Sequence, residues 1–529
     1  MVELLAENPE RAKSQERTTP KRASLAAILR GINRQKILSG RIASHAYWWL
    51  PTLITLLVLR FRAGRPVLGE DESITWDASI RSIRELKALA SNTDAVIAPY
   101  YFFMHFWIRL FGDSEVALRA PSILAVAAAV GMAAMLARRL FSPKVGMLTG
   151  ILLVLIPAIT RYGQEARPYG FAILFGTGAT LLLFCALDRP SWWRWFGYGL
   201  SIMLLGLFQL LGLLLLLGHA TALAFRFWEE NRGRSIIRDS DINWRPYLCW
   251  MLATIGGLLP IIPVALAGFT QQKSQLWWIP PMKWDAFQNL PNDLFWSPAI
   301  GWSLVGIVLF FLAGNSFSFY GYNRTKVYQL GAIAIMPSVS LYIMSFVSPS
   351  WVPRYVIYTV IPWCLLAAAA AATTRWRTIV VFVLVAIIGI PTYSYLRLPI
   401  SHDQPDYRAA MRVISENYRA GDTMVYEPRE AWKVRPEVRY YLRKDRPRDV
   451  LAVSSSKQNN SFHTYECQKP RSCLRGISRV WVFRPSKHDS ALDDYVDLTP
   501  ETLRQDYFVD KTWHPGTSTV ALYVRKALP

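Results

Sequence analysis

Long apolar runs with few charges follow one another from His45 to Tyr395, on the scale of the roughly 17–25 residues that a helix needs to cross a bilayer. They are His45 to Phe61, Val116 to Leu136, Val145 to Thr160, Tyr169 to Leu187, Phe196 to Phe227, Tyr247 to Phe269, Ile300 to Gly314, Tyr328 to Phe346, Val356 to Ala372 and Ile379 to Tyr395. Phe196 to Phe227 is about twice the length of a minimal crossing, so two short helices broken near Gln209 are predicted. Ile97 to Phe111 is apolar and aromatic but short, and it carries His105 and Arg109. After Ser401 the pattern changes. Tyr407 to Tyr418 places Ala410, Met411 and Ile414 at helical spacing, while Thr423 to Tyr426, Val480 to Phe483 and Thr519 to Val524 read as short strands. The expected fold class is a polytopic α-helical membrane protein with a small C-terminal α/β domain.

Charge orients the bundle. If Ile97 to Phe111 crossed the membrane, Arg138, Arg139 and Lys144 would face outwards and the later basic loops would invert. If it lies flat at the interface, those residues, Arg189 and Arg194, Arg226 to Arg245, Arg324 and Lys326, and Arg375 and Arg377 all face inwards. The excess of Lys and Arg in cytoplasmic loops selects the flat arrangement, with about eleven crossings. The N-terminus is then cytoplasmic in the plasma (inner) membrane and the C-terminal domain extracytoplasmic. Three regions follow: a basic tail 1–44, a transmembrane region 45–398 with an outer loop 62–115, and an outer domain 399–529. The outer face also collects the turn Arg161 to Pro168, the loop Thr270 to Phe295 and the turn Ser348 to Tyr355.

Composition narrows the class further. The chain is 52% hydrophobic with mean hydropathy +0.19, where a soluble chain of this size usually falls below zero. The net charge of +22 follows from basic cytoplasmic loops, and no helix-turn-helix, zinc-finger or RNP pattern supports nucleic-acid binding. Met1 to Gly40 is polar and basic rather than a secretory signal. Of five cysteines, Cys185, Cys249 and Cys364 sit in apolar segments; Cys467 and Cys473 flank a polar turn in the outer domain. An oxidising compartment favours a disulfide between the last two over half a metal site, since no second Cys/His pair accompanies them.

Glu70-Asp71-Glu72 follows the first crossing and precedes Ser73-Ile74-Thr75-Trp76. A charge run is commonly a solvated loop, but this one folds back onto apolar surface beside Ile97 to Phe111. Partial desolvation there would raise a carboxylate's basicity, as a general base requires. Arg161-Tyr162-Gly163-Gln164-Glu165-Ala166-Arg167-Pro168-Tyr169 joins two crossings at the outer face. Glu165 and Arg167 are either a structural ion pair or a sugar- and phosphate-binding pair, with Arg161 as a second phosphate candidate. Arg354 in Pro353-Arg354-Tyr355 either snorkels or binds a lipid phosphate. Lys273 and Trp277 lie in an outer loop where Trp suits both an interface and a sugar face. Asp239-Ser240-Asp241 is read as coincidence, and His105 as a hydrogen-bonded residue rather than a metal ligand.

Taken together these motifs resemble the GT-C glycosyltransferases, in the branch related to protein mannosyltransferases and aminoarabinose transferases. Asp71-Glu72 looks like the Asp-Glu motif of the first outer loop, and Pro99-Tyr100-Tyr101 like the juxtamembrane His-Pro-Pro-Leu-Tyr-Tyr, although this chain has Ile97-Ala98-Pro99 there. Phe111 to Glu115, Arg119-Ala120-Pro121-Ser122, Gln164 to Tyr169 and Arg354-Tyr355 match further family motifs. The resemblance covers roughly Trp48 to Ala372 and is specific as a set rather than motif by motif. It implies a polyprenyl-phosphate sugar donor, mannose ahead of arabinose, an extracytoplasmic acceptor (polysaccharide, glycolipid or protein) and inversion. Asp71 would be the catalytic base with Glu72 in support. Arg354, Arg167 and Tyr355 would hold the donor phosphate. Glu165, Gln164, Tyr169, Tyr100, His105, Lys273 and Trp277 would serve the sugar or acceptor. A divalent cation, Mg or Mn, near Asp71 and Glu72 is compatible but not required. The competing readings are a transporter or flippase, which predicts acids inside the spans, and a polymerase or ligase using a lipid diphosphate.

Overall fold

Proline, glycine and isolated polar residues set the breaks between apolar segments. The computed structural model describes residues 44–232, 242–313, 321–401 and 405–527. Nearly all of the basic tail 1–44 and the Asp239-Ser240-Asp241 triplet lie outside the described residues. Every one of the eleven predicted segments falls on helix. These are α1 (Ala46–Arg60), then, after the outer helices α2 (Glu70–Ser79), α3 (Ile83–Asn92) and α4 (Ala98–Phe111), α5 (Glu115–Leu140), α6 (Pro143–Val154) with α7 (Pro157–Gly163), α8 (Tyr169–Asp188), α9 (Trp192–Phe208) and α10 (Leu215–Glu230). The later ones are α11 (Arg245–Leu258) with α12 (Ile262–Gln275), a short α13 (Leu290–Phe295) leading into α14 (Pro298–Ala313), α15 (Arg324–Met344), α16 (Val360–Ala371) and α17 (Arg375–Tyr395). Gln209 takes an extended conformation and breaks Phe196 to Phe227 where predicted.

Among the described residues seven helices are long and apolar enough to cross a membrane, and up to nine if each of two bent pairs counts as one span. One bent pair is α6 with α7, turned by 66° around Pro157; the other joins Trp284–Phe295 to α14 at 101°. The segment of α5 is 72% buried and that of Pro353–Ala371 89%, so these form the core of the bundle. Arg245–Gln275 and Arg375–Tyr395 are each 11% buried, which leaves their apolar sides for lipid. The α4 helix has 14 residues. At a rise of about 1.5 Å per residue it is shorter than the roughly 30 Å hydrocarbon core.

Two outer helices, α2 and α3, occupy the first part of the outer loop 62–115, where apolar periodicity predicts none. Their signals are local rather than periodic. The Ser82 hydroxyl accepts from the Glu85 amide and the Glu85 carboxylate accepts from the Ser82 amide, a reciprocal cap at the start of α3. In α2 every residue from Glu72 to Ser79 is buried, so no polar face marks it as a helix.

The C-terminal region closes a five-stranded sheet in the order β2-β1-β5-β7-β6, from β1 (Thr423–Val425), β2 (Arg448–Asp449), β5 (Arg479–Arg484), β6 (Tyr507–Trp513) and β7 (Thr519–Arg525). A separate pair is β3 (Ala452–Ser454) with β4 (Tyr465–Glu466). Both faces are covered, and the alternation of side chains divides them. Trp481, Phe483, Val520 and Leu522 pack with α18 (Tyr407–Asn417) and α19 (Ala431–Tyr441). Val480, Val482, Ala521 and Tyr523 pack with Leu451, Leu474 and Leu503 on the opposite face, with α20 (Pro470–Cys473) and α21 (Thr499–Asp506) at its margin. Cys467 and Cys473 form a disulfide. Tyr47–Pro529 makes one compact unit.

Helices α9 and α11 approach at glycines, as membrane helix pairs do. A Cβ on Gly199 would come 2.7 Å from the Ala253 carbonyl oxygen, and one on Gly257 2.5 Å from that of Gly199. Gly199→Val is expected to cost about 1–3 kcal/mol and lower the thermal midpoint in detergent. Gly256→Val, whose Cβ meets nothing within 4 Å, is the matched control and leaves that midpoint in place.

Candidate active site

Successive residues on a helix point about 100° apart. Glu70, Asp71 and Glu72 therefore leave the first turn of α2 in three directions, and each meets a different cation. Glu70 pairs with Lys433 of α19 at 2.9 Å, Asp71 with Arg354 and Arg167, and Glu72 with Arg119 of α5.

The Glu72–Arg119 pair is fully enclosed. Glu72 accepts from Arg119 Nη2 at 2.6 Å, Arg119 Nε at 2.9 Å, the Gly69 amide at 2.9 Å and the Ala166 amide at 2.8 Å. The remaining Arg119 donors reach the carbonyls of Ala63, Pro66 and Val67. All five guanidinium hydrogens thus have acceptors. Burial pushes the Glu72 carboxyl up, but Arg119 and the two amides outweigh it and hold Glu72 below the usual range. One ion pair fastens the exit of α1, the acid helix, α5 and the turn before α8. Glu72 is a structural anchor here, not a group open to substrate.

Asp71 differs in exposure and in the closeness of its contacts. Its side chain is 41% accessible against 1% for Glu72. Its Oδ2 stands 3.5 Å from Arg354 Nη2 and 3.9 Å from Arg167 Nε. Burial pushes its carboxyl up, while Arg167, Arg354 and Arg161 outweigh this and hold it low. Arg354 lies over the rings of Tyr169, at 5.4 Å, and Trp278, at 5.9 Å. Arg167 Nη1 reaches the Asp71 carbonyl and the Thr75 hydroxyl, both at 3.4 Å. Tyr355 lies in the same field, beside Tyr169, Arg354 and Asp71.

Glu165 pairs with Arg161 at 3.1 Å, not with Arg167, and is 4% exposed. Burial pushes its carboxyl up, with Arg161 and Arg354 offsetting part. Gln164 donates to the carbonyls of Leu59, at 2.6 Å, and Phe61, so it pins the turn to α1. Tyr100 packs in an aromatic cluster with Phe103, Phe171 and Phe208. His105 contacts the Ser79 carbonyl at 2.9 Å, at the far end of α2 from Asp71. Lys273 is exposed and Trp277 is 76% exposed; Trp278, one residue on, is the ring that meets Arg354.

Asp94 carries no signal in the sequence, and Tyr101 is marked there only as part of the juxtamembrane motif. The Tyr101 hydroxyl donates to Asp94 at 2.7 Å, and both lie in the electrostatic field of Arg167. Burial raises the Asp94 carboxyl, and Tyr101 and Arg167 offset part. No three His, Cys, Asp or Glu side chains among the described residues converge to hold a metal ion. Glu72 has its oxygens taken by Arg119 and two amides, and Asp71 faces arginines, so this donor set does not fit a divalent cation.

The C-terminal region forms the other wall. Helix α19 packs on α2: besides Lys433–Glu70, Arg439 pairs with Asp77, and the Leu68 amide donates to the Tyr441 hydroxyl at 2.9 Å. Glu437 is completely buried at this seam. Burial pushes its carboxyl well up, Ser73 offsets part, and the charges of Glu72 and Glu70 add to the rise.

Residues 98–263 match the family model described as dolichyl-phosphate-mannose-protein mannosyltransferase. That stretch holds Arg119, Glu165 and Arg167 but begins after Asp71 and Glu72. No curated protein sequence matches the chain. Among solved structures, ArnT from Cupriavidus metallidurans in the apo state aligns over 91% of this chain and 98% of its own, at 12% identity and TM-score 0.59. The same protein bound to undecaprenyl phosphate aligns over 90% and 98%, at 14% identity and TM-score 0.58. The chain therefore shares with these structures its fold, a helical bundle of seven or more apolar spans with outer helices and a C-terminal sheet region. Its particular form is the one seen in ArnT.

Arg119→Met is expected to remove the buried counter-charge of Glu72 and cost about 3–5 kcal/mol, seen as loss of the monodisperse folded peak on heating in detergent. Glu437 gives the opposite sign. Its raised folded value means that stability is present below the unfolded value and is lost as pH rises through the folded one. Glu437→Gln is expected to raise the thermal midpoint more at about pH 8 than at about pH 5.

Proposed function

We propose that the protein is a membrane glycosyltransferase that moves a sugar from a polyprenyl-phosphate donor to an extracytoplasmic acceptor with inversion. The observation that carries this reading is the accessible Asp71 carboxylate bracketed by Arg354 and Arg167. A carboxylate accepts the hydroxyl proton of the acceptor as a general base, and arginines bind a phosphate by parallel hydrogen bonds. The undecaprenyl phosphate of one ArnT structure and the mannosyltransferase family match support a lipid-phosphate donor. The same reading places the site, the sheet region and the Cys467–Cys473 disulfide outside the cytoplasm, where an oxidised pair persists, and the N-terminus inside. Mannose is the first donor sugar, arabinose the next; the acceptor is a polysaccharide, a glycolipid or a protein.

In this mechanism Arg354 and Arg167 bind the phosphate and favour its departure. Tyr169 and Trp278 hold the Arg354 guanidinium in place. The acceptor oxygen attacks the anomeric carbon from the face opposite the phosphate, and Asp71 takes its proton. Purified protein is assayed with labelled polyprenyl-phosphate mannose and arabinose against a cell-envelope acceptor fraction. Asp71→Asn is expected to lower kcat about 10²–10⁴-fold with the fold intact. Full activity in that variant would remove Asp71 as the base, and failure of both lipids to donate would remove the donor class.

A further inference from the structure

We infer that Asp71 and the donor phosphate compete for the same two guanidinium groups, so that donor binding releases Asp71 to serve as the base. The inference rests on the donor class proposed above and concerns how that site is regulated.

The two carboxylate–arginine contacts of the acid helix are built differently. Glu72 and Arg119 meet at 2.6 and 2.9 Å through paired hydrogen bonds. Asp71 meets Arg354 and Arg167 at 3.5 and 3.9 Å, beyond the roughly 2.7–2.9 Å of a charge-assisted hydrogen bond. These arginines also keep donors in reserve. The Nε atoms of Arg167 and Arg354 are buried and have no hydrogen-bond partner among the described residues. Unsatisfied buried donors on a cation are costly, and an oxyanion with several acceptor sites relieves that cost better than one carboxylate oxygen at this distance.

The frame around the arginines is fixed on other elements. Arg354 lies against the rings of Tyr169 and Trp278, and Arg167 is tied to Thr75 and the Asp71 backbone. Arg161 faces Glu165 at 3.1 Å, and its Nε is likewise buried without a hydrogen-bond partner among the described residues. Asp94 and Tyr355 complete the titratable groups in the field of Asp71. When an anion takes the two arginines, Asp71 loses its two nearest counter-charges and becomes a stronger base only in the loaded site.

The charge balance of transfer fits the same frame. The acceptor oxygen forms a bond to the anomeric carbon, and the bond from that carbon to the phosphate oxygen breaks with its electron pair on the phosphate. The hydroxyl proton goes to Asp71. Before the step the carboxylate and the phosphodiester carry one negative charge each; afterwards the acid is neutral and the phosphomonoester carries both. The arginines face the same total charge throughout, so no side chain has to reorganise as the reaction proceeds.

The test is equilibrium binding of undecaprenyl monophosphate to the full-length protein in detergent, at one fixed pH near neutral, for wild type, Asp71→Asn, Asp71→Ser and Arg354→Ala. Removing the competing carboxylate is expected to tighten binding about three- to fivefold in both Asp71 variants, the scale of a partly exposed ion pair. Arg354→Ala is expected to weaken it. If Arg354→Ala weakens binding while the Asp71 variants bind no better than wild type, the competition is overturned and the donor class stands. If wild type shows no saturable binding, the donor class falls and the competition with it.

Discussion

A single buried ion pair, Glu72 with Arg119, fixes how the acid helix sits on the bundle. Its carboxylate and guanidinium satisfy each other and the backbone of three further segments, the exit of α1, the start of α2 and the turn before α8. A rigid helix has one azimuth once one of its residues is fixed. With Glu72 turned into α5, Asp71 has to face the arginines and Glu70 has to face the C-terminal region. The geometry of the open carboxylate thus follows from a closed one beside it. The energy of the pair lies less in its net attraction than in what breaking it would leave behind, a buried charge without a partner.

The adjacent acids divide the work by environment rather than by type. Glu72 is sealed and low; Asp71 is accessible and held low by Arg167, Arg354 and Arg161; Glu437, from the opposite wall, is sealed and raised. The C-terminal region is accordingly more than an appendage. Through Lys433 and Arg439 it grips the same short helix that Arg119 grips from the bundle, and Tyr441 holds the Leu68 amide just before it. A helix of ten residues bearing three acids in its first turn would not hold its place unaided. Clamped between two walls, it presents Asp71 with little freedom to turn.

Much of the bundle was legible because its constraints are local. Bilayer thickness sets the length of an apolar segment, and Gln209 interrupts a run too long for one crossing, so the segments and that break follow from reading along the chain. The β-branched and aromatic runs Val480 to Phe483 and Thr519 to Val524 read as strands for the same reason. The acid helix was not legible. Its residues from Glu72 to Ser79 are buried on all sides, which removes the polar stripe by which a helix is recognised.

By itself the sequence determined a polytopic helical membrane protein whose candidate chemistry lies in Asp71, Arg167 and Arg354, because segment length, charge bias and residue type are properties of single stretches. Tertiary structure alone decided which neighbour does what: Asp71 open but Glu72 sealed, Tyr101 rather than Tyr100 at Asp94, Trp278 rather than Trp277 at Arg354, and Arg161 rather than Arg167 with Glu165. Each of the first three choices is between residues one position apart. On a helix or a tight turn that step swings a side chain to a different partner, and the partner comes from a segment distant in sequence, where no local pattern records it.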